Sequence, residues 1–192
     1  ELLNQIEELV SQQEHVVVVL DGRSGVGKSS IAEKLFSELD AVIIKVDDFY
    51  TGPPEGKEAN WNNKTAKEKV DTVLDYKRLE EEALIPLLSD LQATYHPFDF
   101  ENGEGLSAKV VELNPRRVVV VDGVYSADKL AHLADISVLV QFPDESRRKR
   151  LLKREGEVFM TDWHRKWDEA ENYYFDKIQP KNSFDIIIEG KV

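Results

Sequence analysis

The sequence predicts a three-layer α/β fold, a parallel sheet of five core strands covered by helices on both faces. Two observations carry that reading. Continuous apolar runs of strand length, mostly β-branched, recur along the chain, and such runs suit strands buried on both sides. Helix-like segments separate them, and strand–helix–strand crossovers place neighbouring strands parallel.

The elements follow in chain order. Leu2, Leu3, Ile6, Leu9 and Val10 recur at helical spacing and predict a first amphipathic helix. Residues 16–20 are a Val-rich run ending in Leu20, a buried strand. Glycines punctuate residues 22–27, residues 28–39 read as a helix, and residues 41–46 as a second strand. Residues 51–63 hold two prolines, two glycines and little apolar content, which predicts a loop or flap. Residues 66–91 are helical, with Pro86 expected to kink or divide them. A short strand is expected at 93–95 and a turn at 102–106. Residues 118–121, 136–140 and 184–188 complete the strands, and 144–154 and 162–178 the helices. There is no repeat, low-complexity tract or linker, so residues 1–192 are expected to form one domain, with a flap at 51–65 and a lid region at 144–165.

Composition narrows the function classes. A hydrophobic fraction of 41% with 32% charged residues describes a globular chain rather than a disordered one. No apolar run approaches the roughly 20 residues that span a bilayer. Cysteine is absent, which excludes disulfides, thiolate metal sites and cysteine nucleophiles, and fits a reducing, cytoplasmic location. A net charge of −12 disfavours nucleic acid and anionic membranes as partners unless positive charge is locally concentrated. The chain opens at Glu1 without a signal-peptide pattern, and the missing initiator Met suggests trimming.

One motif carries the chemistry. Gly22-Arg23-Ser24-Gly25-Val26-Gly27-Lys28-Ser29 matches G-x-x-x-x-G-K-[ST] in full, with a strand before it and a helix after. Glycines let the backbone wrap an anion with successive N–H groups pointing inward, and the helix N-terminus adds its positive dipole end. Lys28 would reach the β- and γ-phosphates of a nucleotide, the Ser29 hydroxyl would ligate Mg2+, and Ser30 would add a hydrogen bond.

Acids and arginines surround this motif. Asp47 and Asp48 follow the second strand, where strand ends of an open α/β sheet line the ligand crevice. One of them would accept the proton of an attacking hydroxyl; the alternative is a solvated turn capped by Asp48. Residues 118–121 run into Asp122-Gly123, a strand ending in an acid that would hold Mg2+ directly or through water, or else a turn aspartate. Six positive charges fall within residues 147–154, with Arg147, Arg150 and Arg154 along one side of the helix. They read either as a lid closing over phosphates or as a solvated face. Trp163, Trp167, Ala170 and Tyr174 form a helical stripe, suited to core packing or to stacking a substrate ring. Tyr95 and Asp99 flank a proline and suit either substrate contact or a packed loop, while the four histidines show no metal-like spacing.

This order of motifs resembles the uridine kinase–like group of P-loop kinases, which also holds phosphoribulokinase and bacterial pantothenate kinase. The resemblance runs from about Val16 to Ile188. It rests on Gly22–Ser30, Asp47-Asp48-Phe49-Tyr50, Arg78-Leu79 with Leu84-Ile85-Pro86-Leu87, residues 95–100, Val121-Asp122-Gly123 and the lid arginines. It implies a P-loop fold with strand order 2-3-1-4-5, ATP and Mg2+ as cofactors, Asp47 as the activator of the acceptor hydroxyl and Tyr50 at the acceptor's border. Arg147, Arg150 and Arg154 take the lid's place. Arg154-Glu155-Gly156 and the Trp163…Trp167 pair look most like the small bacterial branch of that group. Tyr95-His96-Pro97-Phe98-Asp99-Phe100 departs from the Y-D-F-x-x-H of uridine kinases, and Asp122 stands where glutamate is usual.

The expected function is transfer of the ATP γ-phosphoryl group to a hydroxyl of a small metabolite, a nucleoside first. Pantothenate, ribosides and sugars stay open as acceptors, as does a homo-oligomeric state. A GTP-dependent switch lacks its N-K-x-D motif, since Asn63-Lys64-Thr65-Ala66 has no aspartate and sits too early. A non-catalytic nucleotide sensor would not need Asp47, Asp122 and the lid arginines.

Overall fold

The computed structural model describes residues 1–52, 59–103, 105–157 and 163–190, apart from the side chains of Ala59, His164 and Arg165. Part of the expected flap (53–58) and part of the expected lid (158–162) therefore lie outside the described residues.

The helices and strands are α1 (Leu2–Gln12), β1 (Val16–Asp21), α2 (Lys28–Glu38), β2 (Ala41–Lys45), α3 (Ala59–Asn62), α4 (Ala66–Thr72), α5 (residues 76–88), β3 (Ala93–Tyr95), β4 (Val111–Leu113), β5 (Val118–Asp122), α6 (Ser126–Lys129), β6 (Ile136–Gln141), α7 (Asp144–Glu155), α8 (residues 164–178) and β7 (Ile186–Glu189). The main sheet runs β2-β5-β1-β6-β7, all parallel, which in core-strand numbering is 2-3-1-4-5.

The unbroken apolar runs have a simple cause. In β1 the side chains alternate between two cores, because successive residues of a strand point to opposite faces. Val16, Val18 and Leu20 pack with α1 and α2 on one face. Val17 and Val19 pack on the other with Val70, Leu79, Leu84 and Tyr174 from α4, α5 and α8 and with Leu130 just after α6. Burying each such side chain stabilises the fold by about 1.5–3 kcal/mol.

One expectation needs correction, and one strand pairing lay outside the reading. The helical stretch 66–91 divides not at Pro86 but at 73–75, where Leu74 forms a bridge with Tyr50 and Asp75 caps the next helix by accepting from Arg78 N at 2.9 Å. Pro86 is accommodated instead: π turns run over Glu80–Leu84 immediately before it, a local widening that tolerates the missing N–H. The pairing of β3 with β4 in a separate antiparallel ribbon was also not foreseen. Three residues, Val111–Leu113, within a polar stretch carry too short a pattern to read.

Candidate active site

The site lies at the carboxyl ends of the parallel strands, where the order reverses around β1. β1 ends at Asp21 and the chain turns through residues 22–27 into α2. Gly25 and Gly27 hold φ of +82° and +100°, a region that disfavours side chains. A Cβ on Gly25 would also stand 2.9 Å from Leu151 Cγ, so the loop packs directly on α7. Lys28 opens α2 and donates from Nζ to Gly22 O at 2.8 Å and Arg23 O at 3.3 Å, which holds its ammonium over the loop. Ser29 and Ser30 are exposed on the first turn of α2. The other loop side chains turn into the protein. Arg23 lies over the Phe175 ring at 5.6 Å, Val26 is buried, and Ser24 donates its N–H and its hydroxyl to Glu171 at 3.0 and 2.7 Å. Arg23, Ser24 and Val26 therefore offer no side chain to an anion, and the Ser24 N–H is itself held by Glu171.

Sheet register brings the acids to this cradle. Asp122, the last residue of β5, pairs with Leu20 on one side and with Lys45 on the other. It therefore stands between the start of the phosphate loop and the turn that follows β2. Gly123 permits this closeness, since a Cβ there would collide with Val46. After Lys45 the chain makes a 3-10 turn over Val46–Phe49 that points its two aspartates apart. Asp48 accepts from Tyr95 Oη at 2.8 Å and lies in the fields of Lys45 and Arg78. Asp47 faces the crevice, where Lys28, Asp122 and Arg154 act on it.

Surface area and surroundings give different impressions of Asp47. Its side chain is reached by solvent, yet protein crowds its surroundings. The crowding decides its acidity. Desolvation raises its carboxyl above the usual aspartate range, opposed by Lys28 and Arg154 and assisted by Asp122 and Asp48. Desolvation likewise raises Asp48, opposed by the hydrogen bond from Tyr95.

The arginines of α7 part company. The Arg150 guanidinium stacks on Phe142 with its carbon 3.7 Å from the ring centroid, and its Nη1 lies 3.6 Å from where a Cβ on Gly27 would stand. Arg154 is exposed and its charge reaches Asp47. Arg147, expected at the lid's substrate face, is 1% exposed and serves the interior instead. It pairs with Asp144 at 3.0 Å, Asp168 at 3.3 Å and Glu171 at 3.8 Å, and donates to Ser24 O at 3.3 Å. Its helical position turns it toward α8 and the underside of the phosphate loop. For Asp99, of the two alternatives, the structure shows the packed loop. Its carboxylate accepts from Glu101 N, Asn102 N and Asn102 Nδ2, which closes its own loop and lowers its pKa, chiefly through Asn102.

Beside the Asp47–Asp48 turn stands an aromatic group. Tyr50 contacts Phe98, Phe100 and Trp167 with ring centroids 4.9, 5.6 and 6.1 Å away, and Trp167 continues to Trp61 and Trp163. Tyr95 is buried against Phe49. Of the α8 stripe, Trp163, Ala170 and Tyr174 are buried and Trp167 is half-buried.

Several functional candidates escaped the sequence reading. Asp21 is fully buried and accepts four hydrogen bonds; Glu171 and Asp168 anchor the phosphate loop and α7. The i, i+3, i+6 spacing of Asp168, Glu171 and Tyr174 was the available signal, hidden beneath the aromatic stripe on the same helix.

The donor set suits a nucleotide with a divalent cation. Among the described residues no three acidic or histidine side chains cluster into a metal cage. Mg2+ characteristically retains waters and leans on one or two protein oxygens plus substrate phosphates, and the Ser29 hydroxyl and Asp122 carboxylate supply such oxygens. Among the same residues, no helix is long and apolar enough to cross a membrane.

Comparison with known proteins agrees with this geometry. The RNA helicase family model matches residues 18–121, more than half the chain. That stretch runs from within β1 through the phosphate loop into β5, stopping one residue short of Asp122, and covers a P-loop-like core. A uridine-cytidine kinase C from Dictyostelium discoideum is 29% identical over 136 residues, covering 68% of this chain and 28% of that protein, so the chain spans well under half of that relative. A uridine kinase from Limosilactobacillus reuteri is 25% identical over 178 residues, covering 86% of this chain and 74% of its own. The solved structure of a possible uridine kinase from Bacillus stearothermophilus superposes with a TM-score of 0.68 at 18% identity, covering 97% of this chain and 98% of that one, and so shares its fold.

Proposed function

Because the chain is a P-loop NTPase of the uridine kinase–like group, we propose that it transfers the γ-phosphoryl group of ATP to a hydroxyl of a small metabolite, a nucleoside first among them. The observation that carries this reading is the placement of Asp47. It faces Lys28, Asp122 and Arg154 across one crevice, while its neighbour Asp48 is taken up by Tyr95. A nucleotide-binding module without acceptor chemistry has no use for such a carboxylate.

In this reading the main-chain amides of residues 25–29 and the Lys28 ammonium bind the triphosphate. Ser29 and Asp122 hold Mg2+, which neutralises phosphate charge when bound. Asp47 orients the acceptor hydroxyl and takes its proton as the oxygen–phosphorus bond forms. The bond from Pγ to the bridging oxygen breaks and ADP departs. Arg150 and Arg154 neutralise charge on the equatorial oxygens. Because the transition state is loose, positioning and electrostatics supply most of the acceleration. The aromatic group around Tyr50 would border the acceptor, and flat rings suit the face of a base.

ADP release with ATP and Mg2+ across nucleosides, ribosides, pantothenate and sugars tests this function. One acceptor should stand out, and Lys28→Ala should abolish its turnover at low ATP. ATP binding with no ADP formed on any acceptor would favour the non-catalytic sensor.

A further inference from the structure

We propose that Asp21 is a positioning residue that fixes the phosphate cradle against the turn carrying Asp122, and thereby sets the affinity of the site for the Mg2+–nucleotide complex. The inference rests on the proposed nucleotide site and adds a residue to it. Asp21 is fully buried, so its carboxylate must find its partners within the protein. Oδ1 accepts from Gly22 N at 2.7 Å, the first residue of the phosphate loop, and from Tyr125 N at 3.0 Å. Oδ2 accepts from Ala127 N at 3.1 Å and Tyr174 Oη at 2.7 Å. One side chain thus ties together the loop, the turn after β5 and helix α8.

The turn it holds is strained. Tyr125 sits at φ +73°, a left-handed conformation costly for a residue with a Cβ, and it lies three residues beyond Asp122. Ser126 Oγ donates to Gly123 O at 2.8 Å and closes the same turn. Two backbone amides of this turn, Tyr125 and Ala127, end on Asp21. If they are released, the strained turn can relax and Asp122 loses its fixed distance from the loop. A metal-free nucleotide needs the cradle alone. The cation needs both sides at once, from Ser29 on the loop side and Asp122 on the other. Loss of the joint should therefore fall on the cation-dependent part of binding.

Calorimetric titration of the full chain with ATP, with and without Mg2+, tests this without requiring an acceptor. Asp21→Asn keeps the shape but presents an amide N–H to a backbone N–H. It should weaken Mg2+–ATP binding about tenfold or more, the range expected for residues that orient metal ligands, while metal-free ATP changes less than about threefold. Tyr174→Phe removes one donor and keeps the carboxylate, so it should show the same split, about threefold. It decides the matter should Asp21→Asn not fold. Equal losses with and without Mg2+, or no loss in either variant that folds, would overturn the proposal. If the unaltered protein bound no nucleotide, the phosphotransfer reading would fall as well. If it bound Mg2+–ATP normally and the variants showed no split, only the role of Asp21 would fall.

Discussion

The phosphate cradle and the aromatic group beside it are adjacent but built on opposite principles. The cradle is eight consecutive residues whose working groups are mostly backbone, with glycines at positive φ and a helix N-terminus supplying donors. Behind it lies a dense polar network in which Asp21, Arg147, Asp168, Glu171 and Tyr174 leave the loop little freedom. The aromatic group gathers Tyr50, Trp61, Phe98, Phe100, Trp163 and Trp167 from four separate segments and holds them by ring contacts. Directional hydrogen bonds fix the first to a single arrangement, whereas non-directional contacts leave the second tolerant of substitution. A site built this way would bind one invariant tail rigidly and adapt its other half to different acceptors.

Substitutions at the boundary and within each region sharpen that contrast. Asp47→Asn, at the junction, should lower turnover by roughly 10²–10⁴-fold with ATP affinity near normal, and turnover unchanged in steady-state kinetics would retire it as the base. Arg147→Ala should act on stability, because it empties a buried site and takes one cationic partner from the buried Asp168 and Glu171, leaving Arg148 on the first and Ser24 on the second. A loss of about 3–5 kcal/mol in denaturant unfolding is expected, and a variant of native stability but poor phosphotransfer would restore Arg147 to the lid. Trp167→Ala, in the adaptable region, should raise the acceptor KM about tenfold while ATP affinity stays within about twofold. The reverse pattern would place the aromatic group outside the acceptor's path. Asp99→Ala should change either KM by about twofold or less, since that carboxylate is occupied within its own loop.

Legibility followed the same division. The Gly22–Ser29 motif and the strand ends at Asp47 and Asp122 could be read because their geometry is local: a short run of residues with a strand before it dictates where the backbone goes. Arg147 was misplaced, and Asp99 left open between two readings, because a side chain's partner is not written beside it. Arg147 shares its helix with Arg150 and Arg154, and only the packing of α8 against α7 sends one inward and leaves the others at the crevice. Asp21 was passed over because a lone acid closing a strand gives no hint that a turn a hundred residues later will end on it.

Apolar periodicity and one glycine-rich octet determined by themselves that this chain folds as a layered α/β protein with an anion cradle after its first strand, since both depend on neighbours in sequence. Which aspartate is held by Tyr95, which arginine is buried and which acid joins the glycine loop to the turn after β5 were decided only by tertiary structure. Those outcomes depend on burial and on hydrogen-bond partners brought together by the sheet register, across separations that no local pattern records.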